Sequence, residues 1–385
     1  MLTSELSVSA KNVVNLLFAL VTLAAYVSIL YLYLNRSDFR SPGQLNTTFV
    51  VGSFLMLYFM SKAIFGSFHM INELTHYFRT SMAKSSSDGI TRSKFLTTTG
   101  LALASLPLVI GSLGIFRGRF NFKVIRNVVE SASLPASWDG KKIVQLSDLH
   151  IGSFPVGHPA VIEAIEAINK LEADYIFFTG DLVNDTMEEA ESWISALSKL
   201  KAKSGKYSVL GNHDYGDYID WKTEEDKIRN ANGIKDIHSR IGFQLLQNEN
   251  ILLDEDGQSV RLIGIENWGA GRFSKYGDLS KAIRGSNDSE FQILLSHDPS
   301  HWDAQVLKHT SIDLSLAGHT HGFQLGIEIP GVKWSPVQYR YPRWAGLYKE
   351  GSQHLYVNRG FGYIGYAGRV GVPPEITEIT LRRTV

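Results

Sequence analysis

Apolar and polar positions divide the chain into two regions. Val13 to Leu34 is free of charge and long enough to cross a bilayer core of about 30 Å as a helix. Phe49 to Ile71 is interrupted only by Lys62, which can snorkel, line a helix interface or mark a shorter span. Phe95 to Phe116 is again uncharged; its Pro107 is tolerable in a membrane helix because neighbouring helices satisfy the freed carbonyl. The pattern predicts a membrane anchor of about three transmembrane helices over residues 1–117, followed by a folded domain over 118–385.

The third span has a second reading, because "TRSKFLTTTGLALASLPLVIG" is similar to a twin-arginine export segment. Ser93 stands where the second arginine would be, and two spans precede it, so an ordinary membrane helix is the better description. Flanking charge separates the two orientations poorly. Arg79, Lys84, Arg92 and Lys94 between spans two and three oppose Arg36, Arg40, Arg117, Arg119, Lys123 and Arg126 on the other side. The reading leans to an extracytoplasmic domain.

From about Phe120 short apolar runs alternate with helical stretches. "KIVQLSD", "DYIFFTGD" and "KYSVLGNHD" read as buried strands that run into polar residues. Between them "HPAVIEAIEAINKL" and "TMEEAESWISALSKLKAK" have helical spacing, which gives a strand, helix, strand, helix, strand order. "RLIGIE", "FQILLSH", "IDLSLAGH", "HLYVNRG" and "EITEITLRR" follow as further strands. The expected class is α/β, with two sheets packed face to face and helices outside.

Composition removes several alternatives. Lys plus Arg and Asp plus Glu both number 38, so no basic excess points to nucleic acid. The chain has no cysteine, which excludes disulfides, thiolate metal sites and thiol nucleophiles. Any metal must therefore be held by nitrogen and oxygen. No Walker motif or nucleophile elbow is present, and the glycines of "NRGFGYIGYAGRVG" read as turns near a site rather than a nucleotide loop.

The polar residues that could bind metal fall at strand ends, where sites form in open α/β sheets. They are Asp148 and His150; Asp181; Asn212, His213 and Asp214; His297; and His319 with His321. Each has a bland alternative: a carboxylate can cap the next helix, "GNHD" can be a turn, and His297 can be a satisfied core imidazole. Five coincidences at successive strand ends argue against separate bland causes. His158, His301, His309 and His354 fit no ligand spacing and read as surface or core residues.

Taken in order, "DLH", "GDLVND", "GNHD", "SHDP" and "GHTHG" resemble the motifs of the calcineurin-like metallophosphoesterases, over roughly Lys142 to Gly322. The resemblance implies two packed mixed β-sheets flanked by helices, with two divalent metal ions at the strand ends. It implies that Asp148, His150 and His321 hold one ion and that Asn212, His297 and His319 hold the other, with Asp181 bridging. Such a carboxylate holds two ions roughly 3.5–4 Å apart, where they activate a shared water and clamp the oxygens of an in-line displacement. The donor set suits Mn, Fe, Zn or Co.

His213, beside Asn212, is expected to face the phosphoryl group, either stabilising developing charge or protonating the leaving group. Asn212 and His213 would thus contact substrate. The family often has an aspartate three positions after the bridging one, and Asn184 stands there, which can accept a hydrogen bond but does not raise the histidine's pKa as a carboxylate does; this departure favours phosphate binding over the general-acid role for His213. Asp214 is the other catalytic candidate, or a residue that orients a ligand.

"GVKWSPVQYRYPRWAGLY" concentrates Trp334, Tyr339, Tyr341 and Trp344 with Lys333, Arg340 and Arg343. It reads either as a loop covering the core or as a membrane-facing or substrate-capping loop. "NWGAGRFSKYGDL" is a candidate second wall of the pocket. The expectation is an integral protein of a bacterial inner or plasma membrane that hydrolyses phosphodiesters or pyrophosphates, including lipid-linked ones. Two alternatives stand beside it. One is an enzyme like the UDP-2,3-diacylglucosamine pyrophosphatases of lipid A synthesis; the other is a non-catalytic scaffold or sensor with a degenerate phosphoesterase domain.

Overall fold

The computed structural model describes residues 8–35, 44–81, 89–287 and 289–384. Arg36, Arg40 and Lys84, counted above for orientation, lie outside the described residues. Three helices come first: α1 (Val8–Leu34), α2 (Leu45–Ser81) and α3 (Gly89–Phe116). Over Leu45–Phe78 and Arg92–Phe120 the chain is apolar and long enough to cross a membrane, whereas the apolar described part of α1, Ala19–Leu34, is shorter. α3 continues through Pro107. Lys62 lies within α2 and donates to Tyr58 Oη at 3.1 Å, one turn back along the same helix.

The domain that follows is built from two six-stranded mixed sheets. The first has the order β1 (Lys123–Ser131), β14 (Glu375–Arg383), β2 (Lys142–Leu146), β3 (Tyr175–Thr179), β4 (Gly205–Val209) and β5 (Gln244–Leu245). The second has the order β12 (Gly346–Glu350), β13 (Gln353–Val357), β9 (Leu314–Ala317), β8 (Gln292–Leu295), β7 (Gln258–Gly264) and β6 (Glu249–Glu255). β2, β3 and β4 run parallel, as do β7, β8 and β9. A separate antiparallel hairpin joins β10 (Ile327–Ile329) to β11 (Val332–Trp334).

Alternation along the strands explains the layering, since neighbouring side chains point to opposite faces. Ile143, Phe177, Val209, Ile293, Leu295, Leu314 and Leu316 share one cluster with residues of both sheets, so these positions fill the space between them. Val144, Leu146, Ile176 and Phe178 point the other way, against helix α4 (Pro159–Asn169) and the helix Glu224–Arg240. Ile263, Leu294, Ala317, Leu355 and Val357 do the same on the outer side of the second sheet, beneath Trp302 and Val306. Fully burying a side chain of this size contributes about 1.5–3 kcal/mol.

One expectation changes. The stretch "TMEEAESWISALSKLKAK" forms only single turns at Glu188–Glu191 and Ile194–Leu197. Bonds from Ala190 N to Met187 O and from Trp193 N to Ala190 O tighten it to three-residue spacing. Glu189 meanwhile folds back to accept from the Asn184, Asp185 and Thr186 amides. His158, read as a surface or core residue, is half-buried, caps α4 by accepting from Ala160 N and stacks on Phe120 at 4.0 Å.

The helical region and the domain meet through residues 361–370. Asn46 Nδ2 donates to Ser153 O and to Tyr363 Oη, both at 2.7 Å. Ala367 N donates to Ser53 Oγ, and Tyr366 Oη donates to Gly111 O, also at 2.7 Å each. Arg369 N donates to Gly114 O at 3.2 Å, and Arg119 Nη1 to Tyr363 Oη at 2.8 Å. This seam requires Gly118, where a Cβ would stand 1.9 Å from Arg369 O. Gly118→Ala is therefore expected to lower the melting temperature of the detergent-purified chain and to speed protease cleavage within residues 361–370. Unchanged melting and cleavage would contradict this account of the seam.

Candidate metal centre

The parallel strands place their carboxyl ends along facing edges of the two sheets. Asp148 and His150 follow β2, Asp181 follows β3, Asn212, His213 and Asp214 follow β4, His297 follows β8, and His319 and His321 follow β9. The chain must turn sharply there, and five of these residues take left-handed φ: Asp148 51°, His150 40°, Asp181 59°, His319 71° and His321 50°. Such conformations cost on the order of 1–3 kcal/mol each and persist only where surrounding bonds enforce them. Asp148 N donates to Gly180 O at 2.8 Å, and His319 N donates to Asp148 Oδ1 at 2.9 Å. Gly318 permits this approach, since a Cβ there would lie 2.2 Å from Asp148 Oδ2.

The structure brings all seven expected ligand residues together. On one side His150 Nε2 lies 3.1 Å from His321 Nε2, and His321 Nε2 lies 3.2 Å from Asp148 Oδ1. On the other, Asn212 Oδ1 lies 3.1 Å from His297 Nε2 and 2.8 Å from His319 Nδ1. Asp181 Oδ2 stands between the groups, 3.5 Å from His150 Nε2 and 3.1 Å from His297 Nε2. Two donors each about 2.1 Å from one ion are about 3.0–3.4 Å apart, and the separations here, 2.8 to 3.5 Å, bracket that range, as divalent ions bound by nitrogen and oxygen require.

Ring orientation agrees with this fit. His297 Nδ1 donates to Thr179 O at 2.7 Å, and His319 Nε2 pairs with Tyr341 Oη at 2.9 Å, so each ring turns its other nitrogen toward the cluster. Burial disfavours protonation of His297, but the Asp181 and Asp148 carboxylates more than reverse this and push it up to about 10. In the metal-free protein Asp181 and His297 therefore form a charged pair, and a cation held there would displace that proton. Burial takes His321 the other way, to about 4.

His213 lines the cleft beside these groups and does not join either donor set. Its Nδ1 donates to the backbone carbonyl of Asn184 at 2.6 Å. The Asn184 side chain itself bonds Glu189 and Ser153. Burial pulls His213 down to about 3, so the ring is neutral at neutral pH and its Nε2 carries a lone pair.

Asp214, read as a catalytic candidate or a residue that orients a ligand, has both carboxyl oxygens bonded to backbone amides. Oδ1 accepts from Leu182 N and Val183 N at 2.8 and 3.3 Å, while Oδ2 accepts from Asp181 N and Gly211 N at 2.8 and 2.9 Å. Its carboxylate is spent on the backbone that carries Asp181. Three further neighbours carry no motif: Tyr218, which accepts from Asn212 Nδ2 at 2.9 Å; Phe273, edge-on to His319; and Arg369, whose Nη2 bonds the Arg359, Gly360 and Gly362 carbonyls 3.3 Å from His321 Nδ1. Only Phe273 lay in a segment that the sequence had marked as a pocket wall.

The cleft measures about 380 Å³. Asp181, Asn212, His213, His319 and His321 form its polar wall, and Phe273, Val337, Tyr341 and Ile364 its apolar one, with Arg340 at the edge. The aromatic segment is thus divided: Tyr341 and Trp344 are buried beside the cleft, whereas Tyr339 is 80% exposed.

With this geometry in place, the chain belongs to the calcineurin-like metallophosphoesterases. Residues 141–323 match the family described as "Calcineurin-like phosphoesterase". Residues 4–119 match "Probable Calcineurin-like phosphoesterase, transmembrane domain", so the protein carries a transmembrane region. It is 32% identical over 304 residues to the uncharacterized metallophosphoesterase YkuE of Bacillus subtilis, covering 77% of this chain and 99% of that one. It is 28% identical over 338 residues to the "Transmembrane protein with metallophosphoesterase domain" of Danio rerio, covering 86% and 71%. A solved dimetal phosphatase from Danio rerio aligns over 58% of this chain and 88% of that chain, with 12% identity and a TM-score of 0.35.

Asp214→Asn keeps the shape but turns an amide NH₂ toward two of the four backbone donors, and each donor left unsatisfied costs about 1–3 kcal/mol. Bound metal, measured by elemental analysis of the purified chain, is expected to fall although Asp214 touches no ion. Full metal content in this variant would contradict the positioning role.

Proposed function

We infer that the chain is a two-metal, membrane-anchored hydrolase of phosphodiester or pyrophosphate bonds, including lipid-linked ones. The observation that carries this reading is the Asp181 carboxylate, set between two groups of nitrogen and oxygen donors. Asp148, His150 and His321 would hold one ion and Asn212, His297 and His319 the other, with Asp181 shared. When bound, the ions supply Lewis acidity and lower the pKa of water at the site.

The chain's own residues do the rest. Asn212 and His213 face the cleft where a phosphoryl group would sit. His213 holds its Nδ1 proton on Asn184 O and presents Nε2; the negative charge of an entering phosphate favours protonation there. From that position Nε2 stabilises charge developing on a phosphoryl oxygen, or passes its proton to the leaving oxygen as the bond to phosphorus breaks. Phe273, Tyr341 and Val337 exclude water from the opposite wall.

A lipid-linked substrate is favoured by where the cleft lies. Ile364 lines it, and two residues along the chain Tyr366 bonds Gly111 O of α3. The cleft therefore borders the seam with the membrane helices.

Hydrolysis of bis-p-nitrophenyl phosphate by the full chain in detergent, with added Mn, tests the reading. Asp181→Asn is expected to lose both metal and turnover. His213→Ala is expected to keep its metal and to slow by on the order of 10²-fold or more. Metal loss in His213→Ala equal to that in Asp181→Asn would refute this division of roles.

A further inference from the structure

The β10–β11 hairpin presents an inverted amphipathic surface. Directly opposed residues in an antiparallel pair share a face, and neighbours along a strand alternate faces. The register is Ile327 with Trp334, Glu328 with Lys333, and Ile329 with Val332. Ile327, Trp334, Ile329 and Val332 therefore form one face, and Glu328 with Lys333 the other.

Glu328 and Lys333 are exposed at the surface, yet the polar face is the one that makes the contacts to the rest of the domain. Glu328 forms an ion pair with Arg359, which is itself buried against Glu375. Lys333 donates to Ala345 O and lies over the Trp344 ring, 5.1 Å from its centroid. These contacts fix the hairpin's orientation, so the apolar face is held outward rather than left there by chance. All four of its residues are exposed, Ile329 to 59%. Phe323 and Leu325 continue the exposed alternation at one end. A hairpin facing only water would place its faces the other way.

What the outward face meets is indicated by its neighbours. Leu325 bridges to Val370 in a parallel sense, and Gly326 N donates to Val370 O at 2.9 Å. The next residue back, Arg369, bonds Gly114 O of α3, and Tyr366 bonds Gly111 O. The apolar surface is thus continuous with the last turns of a helix that the transmembrane assignment places in the bilayer. Trp334 and the exposed Tyr339 are rings of the kind enriched at the headgroup layer, and Arg340 stands beside them.

We propose that the outward face of the β10–β11 hairpin is a second, interfacial attachment that seats in the headgroup and acyl boundary of the lipid bilayer carrying the transmembrane helices. The hairpin begins six residues after His321, so this attachment holds the cleft against the lipid surface. The inference rests on the transmembrane region and not on the reaction at the metal centre.

Because the chain contains no cysteine, the test is direct. Val332→Cys on the outward face and Leu252→Cys on the edge strand β6 are each labelled with a nitrobenzoxadiazole probe. The full-length proteins are then reconstituted in phosphatidylcholine–phosphatidylglycerol vesicles. The Val332 label is expected to emit at shorter wavelength than the Leu252 label and to lose intensity when brominated lipid is included; the Leu252 label does neither. Equal emission and equal resistance to brominated lipid would overturn the proposal. So would a blue shift at Val332 that vanishes on dilution of protein in lipid without quenching, because the face would then meet a second copy of the chain.

Discussion

The site depends on one carboxylate held under strain. Asp181 sits at a left-handed turn after β3, where its Oδ2 approaches His150 on one side and His297 on the other. Its Oδ1 also accepts from His213 N at 2.9 Å, so the same side chain sets the position of a histidine that lines the cleft. Four backbone amides gathered by Asp214 keep Asp181 and its neighbours in that turn. Without that clamp the donors of the two sheets have no reason to converge, because like-charged carboxylates and buried imidazoles are costly to assemble in the absence of cations.

The second support comes from the loop Asn358–Val372. Gly360 and Gly362 bring its backbone against Asp148, with Gly362 N donating to Asp148 O at 2.8 Å. The buried guanidinium of Arg369 ties the Arg359, Gly360 and Gly362 carbonyls together beside His321. Tyr363, Tyr366 and Ala367 of the same loop reach α2, α3 and Arg119. One short segment thus touches both the candidate ligands and the membrane helices, and the transmembrane region becomes part of the packing around the site rather than a tether.

Much of this was legible in the residues themselves. Strand positions followed from apolar runs, and the ligand candidates followed from polar residues at their ends, because parallel strands must deliver those ends to one edge. The layer structure was equally readable, since Ile143 and Val144, or Ile176 and Phe177, alternate as two-sided burial demands. What sequence hid was anything fixed by long-range contact. Asp214 read as a catalytic group or as one that orients a ligand, and what its oxygens hold, three amides about thirty residues earlier in the chain and that of Gly211, shows only in the fold. Arg369 and Tyr218 carry no motif, and the hairpin's inverted faces emerge only once Glu328 finds Arg359. The helix expected over Thr186–Lys203 failed because Glu189 and Trp193 answer to the core rather than to helical spacing.

The most direct test of the shared carboxylate is electron paramagnetic resonance of the detergent-purified full chain titrated with Mn. A carboxylate bridging ions roughly 3.5–4 Å apart couples their spins. The account predicts two Mn bound per chain and an exchange-coupled signal that Asp181→Asn abolishes. Saturation at one Mn with the spectrum of an isolated ion, or coupling that survives in Asp181→Asn, would contradict it.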